Sequence, residues 1–329
     1  MLRRGGGGQH QRRFYSKPRI GAAARLRLRL LPRFTFRNFS VLVFTLVVLA
    51  YTPSLYQRFF QTAIQADCKW LKQPPLVCAH GGDSSRAPPN TLAAYQLAID
   101  VGVDCIEIDA SRTWDGVLLA LHDRDLQKMS EQSSVRVGEL TANKINELDA
   151  TAGFLGKFPK QHVPTVEHAI QYVHQSVKEI IIDAKVGPPL FQERLPADLI
   201  SLVKSSECTR CLVWSKDDKV VREIIRRSAN TKTGYIVMND TMTGKISELL
   251  RFEGAEVVGV YYGLVTQKMV KVLHRAKKKV HAWTVNTADA MIGMLKAGVD
   301  AIITNDPRLL QGVMQDQKQL CMLNGFTAF

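Results

Sequence analysis

The regular alternation of strand-like and helix-like segments after residue 75 constrains the fold more than any other feature of the chain. Short runs rich in β-branched residues alternate with helical patterns up to residue 312. Such alternation predicts a (β/α)8 barrel of the TIM type. An open doubly wound sheet is the alternative, but its early GxGxxG phosphate loop is absent from the sequence. The predicted strands are 76–81, 104–110, 116–122, 179–185, 211–215, 233–238, 256–262, 279–285 and 299–304, and the predicted helices are 91–101, 165–175, 193–206, 216–228, 245–252, 266–278 and 287–297.

Two local features do not fit a uniform barrel. Nine runs are predicted as strands, so one of them is expected to lie outside the eight barrel positions. The link from Asp109 to Val117 is too short for a crossover helix, so we expect an irregular connection without a helix there. Residues 124–164 are predicted to form a long excursion over the barrel mouth.

The N-terminal region holds most of the positive charge. Residues 1–38 contain ten arginines, one lysine and no acidic residue, so they carry +11 of the formal net charge of +14. A glycine-rich, strongly basic segment of this kind cannot form a packed core and is predicted to be disordered. Because the rest of the chain is nearly neutral, the charge pattern argues against a nucleic-acid-binding groove on the folded domain.

Residues 39–56 form an uncharged, mostly apolar segment of 18 residues. That length only just reaches the ~17–25 residues that span a bilayer. The basic leader favours a single transmembrane signal anchor, with the tail in the cytosol and the folded domain in a lumen or outside the cell. A cleaved secretory signal ending at Val48-Leu49-Ala50, an arginine-rich transit peptide and a soluble core segment are the alternatives. The predicted organisation is a tail (1–38), the anchor (39–56), a linker (57–75), the barrel domain (76–312) and a C-terminal tail (313–329).

The six cysteines are compatible with an oxidising compartment. Cys208 and Cys211 are a candidate disulfide pair. Zinc binding is the alternative, but a single CxxC without a second pair of ligands is weak support for a zinc site. Cys78 and Cys105 lie inside predicted strands, and we expect them to be buried and unpaired.

Acidic side chains follow the same face of one predicted strand. Alternate strand residues point to one side, so Glu107 and Asp109 emerge together between apolar neighbours. Two buried acids repel each other, and a bound divalent cation resolves the conflict because hard cations prefer carboxylate oxygens. Asp183 is the third predicted metal ligand, although a simple ion pair with Lys185 is the alternative for it. Ca²⁺ and Mg²⁺ both accept such ligands.

Two histidines lie late in two other predicted strands. His80 and His122 can supply a proton donor and a proton acceptor near neutral pH. Lys185 is a predicted phosphate contact because its ammonium is a compact positive charge. Reactive groups of TIM-type barrels lie at the C-terminal ends of strands, so these late positions predict one shared site. The set indicates metal-assisted cleavage of a phosphate ester.

Several short motifs in register resemble those of the glycerophosphodiester phosphodiesterases, in a variant most similar to the plant, membrane-anchored subgroup. The resemblance implies hydrolysis of a glycerophosphodiester to an alcohol and glycerol 3-phosphate. It implies that one histidine protonates the leaving alcohol while the other activates water or a neighbouring glycerol hydroxyl. The matching motifs are His80-Gly81-Gly82, Asn90-Thr91, Glu107-Ile108-Asp109, Asp115-Gly116, His122-Asp123, Ile182-Asp183-Ala184-Lys185, Trp283-Thr284-Val285-Asn286 and Ile303-Thr304-Asn305-Asp306-Pro307.

The matched motifs include a candidate substrate contact, and the sequence departs from the family pattern at two positions. Trp283 is expected to pack against the glycerol moiety, with core packing as the alternative. The family usually has arginine where this chain has Gly81, and glutamate where it has Pro89. Losing both removes a charged pair and should weaken stabilisation of the phosphate. Arg86, on the following loop, is the candidate substitute for the missing cation.

Two other functions stay open from the sequence. A phosphodiesterase acting on lysophospholipids is compatible with an anchor that keeps the domain beside a membrane. A degenerate barrel that binds phosphodiesters without cleaving them is compatible with Gly81 and Pro89. The retained histidines and acids argue against that degenerate barrel.

Overall fold

The structure, a computed structural model, describes residues 39–52, 67–122, 126, 129, 135–152, 154, 158–187, 194–240 and 243–326. The chain divides into two compact units, Met1–Gln57 and Arg58–Phe329. In the first unit, residues 39–52 form helix α1. Among the helices in these described ranges, none is long and apolar enough to cross a membrane. The predicted tail, the last four residues of the predicted anchor and most of the predicted linker lie outside the described residues.

The second unit is built on a closed parallel barrel. Eight strands run parallel in the order β1-β2-β4-β5-β6-β7-β8-β9, and β9 pairs back with β1. The predicted TIM-type barrel is therefore confirmed. The strands are β1 (Leu76–His80), β2 (Cys105–Arg112), β3 (Leu118–Ala120), β4 (Glu179–Lys185), β5 (Cys211–Ser215), β6 (Lys232–Val237), β7 (Val257–Tyr261), β8 (Lys279–Trp283) and β9 (Ala301–Thr304).

Strand β3 is the run outside the barrel. It pairs antiparallel with β2, with Ala110 opposite Ala120 and Arg112 opposite Leu118. The short connection contains no helix, as its length predicted, because β2 simply turns back on itself. Thr113 closes this turn by accepting a hydrogen bond from Val117 N at 2.9 Å.

Helices follow seven of the eight barrel strands in the described part of the chain. Four of them begin at a threonine whose hydroxyl accepts a backbone N–H of the first turn: Thr91, Thr165, Thr266 and Thr287. The helices are α2 (Leu92–Val101), α3 (Ala142–Asn146), α4 (Val166–Val173), α5 (Leu195–Ser205), α6 (Asp218–Arg227), α7 (Gln267–Arg275), α8 (Ala288–Ala297) and α9 (Pro307–Leu323).

Two helical segments differ from the sequence-based expectation. The predicted helix over 245–252 is wrong: Asn239 bridges Ile246, and Ser247 N donates to the Met238 carbonyl, so a loop closes on itself there instead. Helix α9 continues past residue 312, where the barrel domain was expected to end. Its buried Val313 and Cys321 give it an apolar side that packs on the fold.

Three disulfides are formed within the second unit. Cys208 pairs with Cys211 as predicted, and Cys68 pairs with Cys321, which ties α9 to the segment before β1. The expectation that Cys78 and Cys105 are unpaired is wrong, because they are register partners on neighbouring strands and form the third disulfide. Which strands become neighbours is a property of the closed barrel that the two cysteines do not reveal by themselves.

The barrel interior is filled by inward-facing side chains. The largest is Trp214, and a Cβ at Gly259 would lie 2.7 Å from its Cζ3, so the glycine makes room for the indole. The ring of His281 lies 6.2 Å from that of Trp214. His281 is fully buried, and its Nε2 is 3.6 Å from Glu179 Oε1. Lys232 also pairs with Glu179. Burial lowers the pKa of His281 to about 4 although Glu179 opposes the shift.

We expect His281 to make the folded state sensitive to acid. Its ordinary pKa of 6.5 falls to about 4 on folding, so the unfolded chain binds the proton more readily between these values. The stability is therefore complete above pH 6.5 and is lost as the pH falls towards 4, by about 3 kcal/mol from this group. Urea unfolding between pH 7.5 and 4.5 measures the loss. His281→Gln should lack this part of the pH dependence, and equal slopes in both proteins would contradict it.

Candidate active site

The register of the barrel brings the predicted site residues to one rim. His80, at the end of β1, is paired with Glu107 on β2, and Asp109 is paired with Asp183 on β4. Lys185 follows Asp183 on the same face, since alternate residues of a strand share a side. All five side chains therefore emerge at the C-terminal ends of three neighbouring strands.

The three acids form a compact, buried cluster. Glu107, Asp109 and Asp183 are 3%, 2% and 5% exposed, and each offers a carboxylate oxygen within 4.8 Å of the others. Within the described part of the chain, Glu107 Oε2 and Asp183 Oδ1 accept no hydrogen bond. Lys185 Nζ lies 2.7 Å from Asp109 Oδ1 and also pairs with Asp183. One ammonium against three carboxylates leaves a negative surplus, so this donor set fits a divalent cation.

The electrostatics of the cluster are uneven. Burial raises the pKa of Glu107 to about 7, and the neighbouring acids add to the shift while His80 opposes it. Burial also acts to raise the pKa of Asp109, but Lys185 and the two histidines outweigh it and hold that pKa below its ordinary value. The pKa of Lys185 is raised by the acids despite its own burial. Because its pKa is raised, an added positive charge would favour the ionised form of Glu107.

Asn90 positions Asp109. Asn90 Nδ2 donates to Asp109 Oδ2 at 2.6 Å, and Asn90 Oδ1 accepts from the backbone N–H of Asp109 at 3.1 Å. The hydroxyl of Tyr95 donates to the same Asn90 oxygen at 3.1 Å. Asn90 was part of a matched motif without an assigned role, and Tyr95 carried no signal in the sequence.

The two histidines lie at the same rim as the acids. Their ring centroids are 6.4 Å apart. His80 Nδ1 donates to Asn305 Oδ1 at 2.7 Å, which leaves Nε2 facing Glu107 Oε2 at 3.7 Å. Burial lowers the pKa of His80, but Glu107, Asp109 and the Asn305 contact more than compensate and raise it. The interaction with Asn305 fixes the ring and its tautomer, a role for Asn305 that the sequence did not assign.

Gly81 and Pro89, the two positions that depart from the family pattern, are neighbours, and Arg86 forms an ion pair with Asp83. A Cβ on Gly81 would lie 3.0 Å from the Cβ of Pro89, so the two replaced side chains would have been adjacent. Arg86 Nε donates to buried Asp83 at 2.7 Å, and its guanidinium also reaches the carbonyl of Leu97 on α2. Arg86 is therefore engaged by Asp83 and α2, and its part as the substitute cation stays a prediction.

Trp283 lies at the mouth of the barrel, partly exposed. Its ring centroid is 5.9 Å from that of Tyr261 at the end of β7. The ammonium of Lys216, one residue after β5, lies 5.0 Å from the centre of the Trp283 ring. Sequence reasoning did not single out Lys216, although its spacing from Trp214 was the signal that it faces inwards.

Comparison with known proteins agrees with this geometry. Residues 80–309 match the glycerophosphoryl diester phosphodiesterase family. The chain is 45% identical over 327 residues to glycerophosphodiester phosphodiesterase GDPD4 of Arabidopsis thaliana, covering 98% of this chain and 95% of that protein. The chain belongs to the glycerophosphodiester phosphodiesterase family. The prediction of this enzyme family is therefore confirmed.

More distant members share the barrel. A glycerophosphodiester phosphodiesterase of Caldanaerobacter subterraneus is 29% identical over 236 residues, covering 71% of this chain and 96% of that protein. A solved structure of a putative family member from Silicibacter pomeroyi has a TM-score of 0.67 at 22% identity, covering 77% of this chain and 98% of that one. An Oleispira antarctica phosphodiesterase, solved with its product sn-glycerol-3-phosphate, has a TM-score of 0.65 at 22% identity, covering 73% and 97%. These two likenesses bear on the fold.

Proposed function

We propose that this chain hydrolyses glycerophosphodiesters to an alcohol and glycerol 3-phosphate. The observation that carries the proposal is the meeting of His80, His122, Lys185 and the three-acid cluster at one rim of the barrel. Family membership and the names of the relatives support the same substrate class.

The residues divide the work of the reaction between them. Glu107, Asp109 and Asp183 would hold a divalent cation, Ca²⁺ or Mg²⁺, which when bound supplies positive charge to the phosphate. Lys185 adds a second positive charge beside the oxygens of the phosphate. One histidine takes the proton of the attacking water or of a neighbouring glycerol hydroxyl as that oxygen bonds to phosphorus, and the other gives a proton to the leaving alcohol as its bond to phosphorus breaks. If the glycerol hydroxyl attacks, water then opens the resulting cyclic phosphate to glycerol 3-phosphate. Asn305 accepts the Nδ1 hydrogen of His80, which leaves Nε2 of that ring to exchange a proton with the substrate.

Metal removal tests this proposal directly. The purified full chain should release glycerol 3-phosphate from a deacylated phospholipid in the presence of Ca²⁺ or Mg²⁺. After exhaustive chelation the rate should fall by about 10²-fold or more, because three buried carboxylates then face the phosphate with only the single charge of Lys185 to compensate them. Re-addition of metal should restore the rate. An unchanged rate in protein shown by mass spectrometry to be metal-free would contradict the proposal.

A lysophospholipid substrate is the second candidate. Its support is the predicted anchor, which would keep the domain beside a lipid surface. Comparing turnover on acylated and deacylated forms of one phosphodiester separates the two substrates. A non-catalytic phosphodiester-binding barrel is disfavoured because the acids and both histidines meet at one rim; binding without turnover would favour it.

We further propose that the barrel domain works in a lumen or outside the cell. Three disulfides join six cysteines, and such bonds persist in oxidising compartments. Membrane attachment through residues 39–56 stays a prediction. Thiol counting under denaturing, non-reducing conditions tests the compartment: six free thiols in protein isolated from its own cells would contradict it.

A further inference from the structure

Lys216 continues the inward-facing row of β5. Leu212 and Trp214 belong to the apolar cluster that fills the barrel, and Lys216 is the next residue of the same parity. It lies just past the C-terminal end of the strand, at the level of the mouth. No carboxylate in the described ranges forms an ion pair with it. Its ammonium lies instead over the ring of Trp283, 5.0 Å from the centroid.

The catalytic groups and this lysine occupy different arcs of the mouth. The acids and His80 are carried by β1, β2 and β4, whereas Lys216 follows β5, and Tyr261 and Trp283 end β7 and β8. A phosphodiester has two arms on its phosphorus. With the phosphorus at the acid cluster, a head-group arm directed across the mouth would reach the second arc, and Trp283 would then contact the head group instead of the glycerol moiety expected from the resemblance.

The aromatic rings alone would suit a cationic arm. Trp and Tyr faces attract ammonium groups, and quaternary ammonium ligands are commonly held in aromatic cages. Here the face of Trp283 is already covered by a lysine, so a second cation meets a like charge. An anionic group on the arm meets an opposite charge that forms no ion pair with a carboxylate of the described residues.

We propose that Lys216 is a specificity-determining residue that selects glycerophosphodiesters whose head group carries an anionic group, such as a carboxylate. This inference rests on the proposed function and deepens it by naming the class of head group. Glycerophosphoserine and glycerophosphoethanolamine are a matched pair for testing it, because they differ by one carboxylate. Glycerophosphocholine adds the quaternary ammonium case.

The test compares kcat/KM for these three diesters in the full chain. The wild type should prefer glycerophosphoserine. Lys216→Glu should lower the ratio of kcat/KM for the serine diester to that for the ethanolamine diester by about tenfold. Reversing one partly screened charge about 5 Å from the head-group carboxylate changes the interaction energy by ~1.4 kcal/mol, which corresponds to a factor of ten. Lys216→Ala should give an intermediate ratio. Lys219→Glu makes the same charge change at an exposed position of α6 and should leave the ratio within about twofold.

An unchanged ratio in Lys216→Glu would overturn the inference. If all three diesters also lose turnover equally, the lysine lies near the phosphate or the glycerol instead. Calorimetric binding of the same diesters to His122→Ala, with and without Lys216→Glu, gives the ratio independently of turnover. If the wild type binds but hydrolyses none of them, the proposed function fails, while the binding ratio still decides the role of Lys216.

Discussion

Replacing Asp109 with asparagine should lower kcat by about 10³-fold and weaken divalent-metal binding in parallel. The substitution keeps the size of the side chain but removes one of three charges from the acid cluster. It also removes the carboxylate beside Lys185 Nζ and places an amide against the Asn90 amide that now donates to Asp109. Loss of one well-placed electrostatic group costs about 10²–10³ in turnover, and loss of a metal ligand adds to it. Steady-state kinetics and calorimetric metal titration measure the two effects.

Asp104→Asn is the matched control for this prediction. Asp104 precedes β2 at the opposite end of the strand, where it pairs with Lys178 and accepts a hydrogen bond from Val77 N at 3.0 Å. The same chemical change there should alter stability but leave kcat and metal affinity within about twofold per folded molecule. If Asp109→Asn kept normal metal affinity, the three acids would not be one ligand set, and the proposed role of the cluster would be wrong.

The sequence predicted the parts of the site that depend on local periodicity. Glu107 and Asp109 face one side because strand residues alternate, and this holds whatever the rest of the fold does. The late positions of His80 and Asp183 in their strands were readable for the same reason. The pairing of Asp109 with Asp183 was not readable, because register between strands depends on how the whole barrel closes.

Errors arose where tertiary contacts decide the local structure. Residues 245–252 have a helical pattern, but the bridge between Asn239 and Ile246 holds them in a loop. Cys78 and Cys105 seemed independent in the sequence and become partners only because β1 and β2 are neighbours. Lys216 had the parity of Trp214 and was overlooked because no motif included it.

The substitution His80→Ala should lower kcat by about 10²–10⁴-fold while leaving metal affinity nearly unchanged. His80 Nε2 faces Glu107 at 3.7 Å, too far for a hydrogen bond, so the three acids keep their positions without it. The lost function is proton transfer, which removal of Asn305 should impair more mildly because Asn305 only fixes the ring. His168→Ala, at an exposed position of α4, is the control and should be neutral.

Metal titration gives His80→Ala its discriminating power. A proton carrier and a metal ligand both reduce turnover when removed, but only the ligand reduces metal affinity. Asp109→Asn is expected to lose both, and His80→Ala is expected to lose turnover alone. If metal affinity falls equally in the two variants, His80 belongs to the metal site. The proton must then be carried by another group of the rim. His122 is the first to test, because its ring lies 6.4 Å from that of His80.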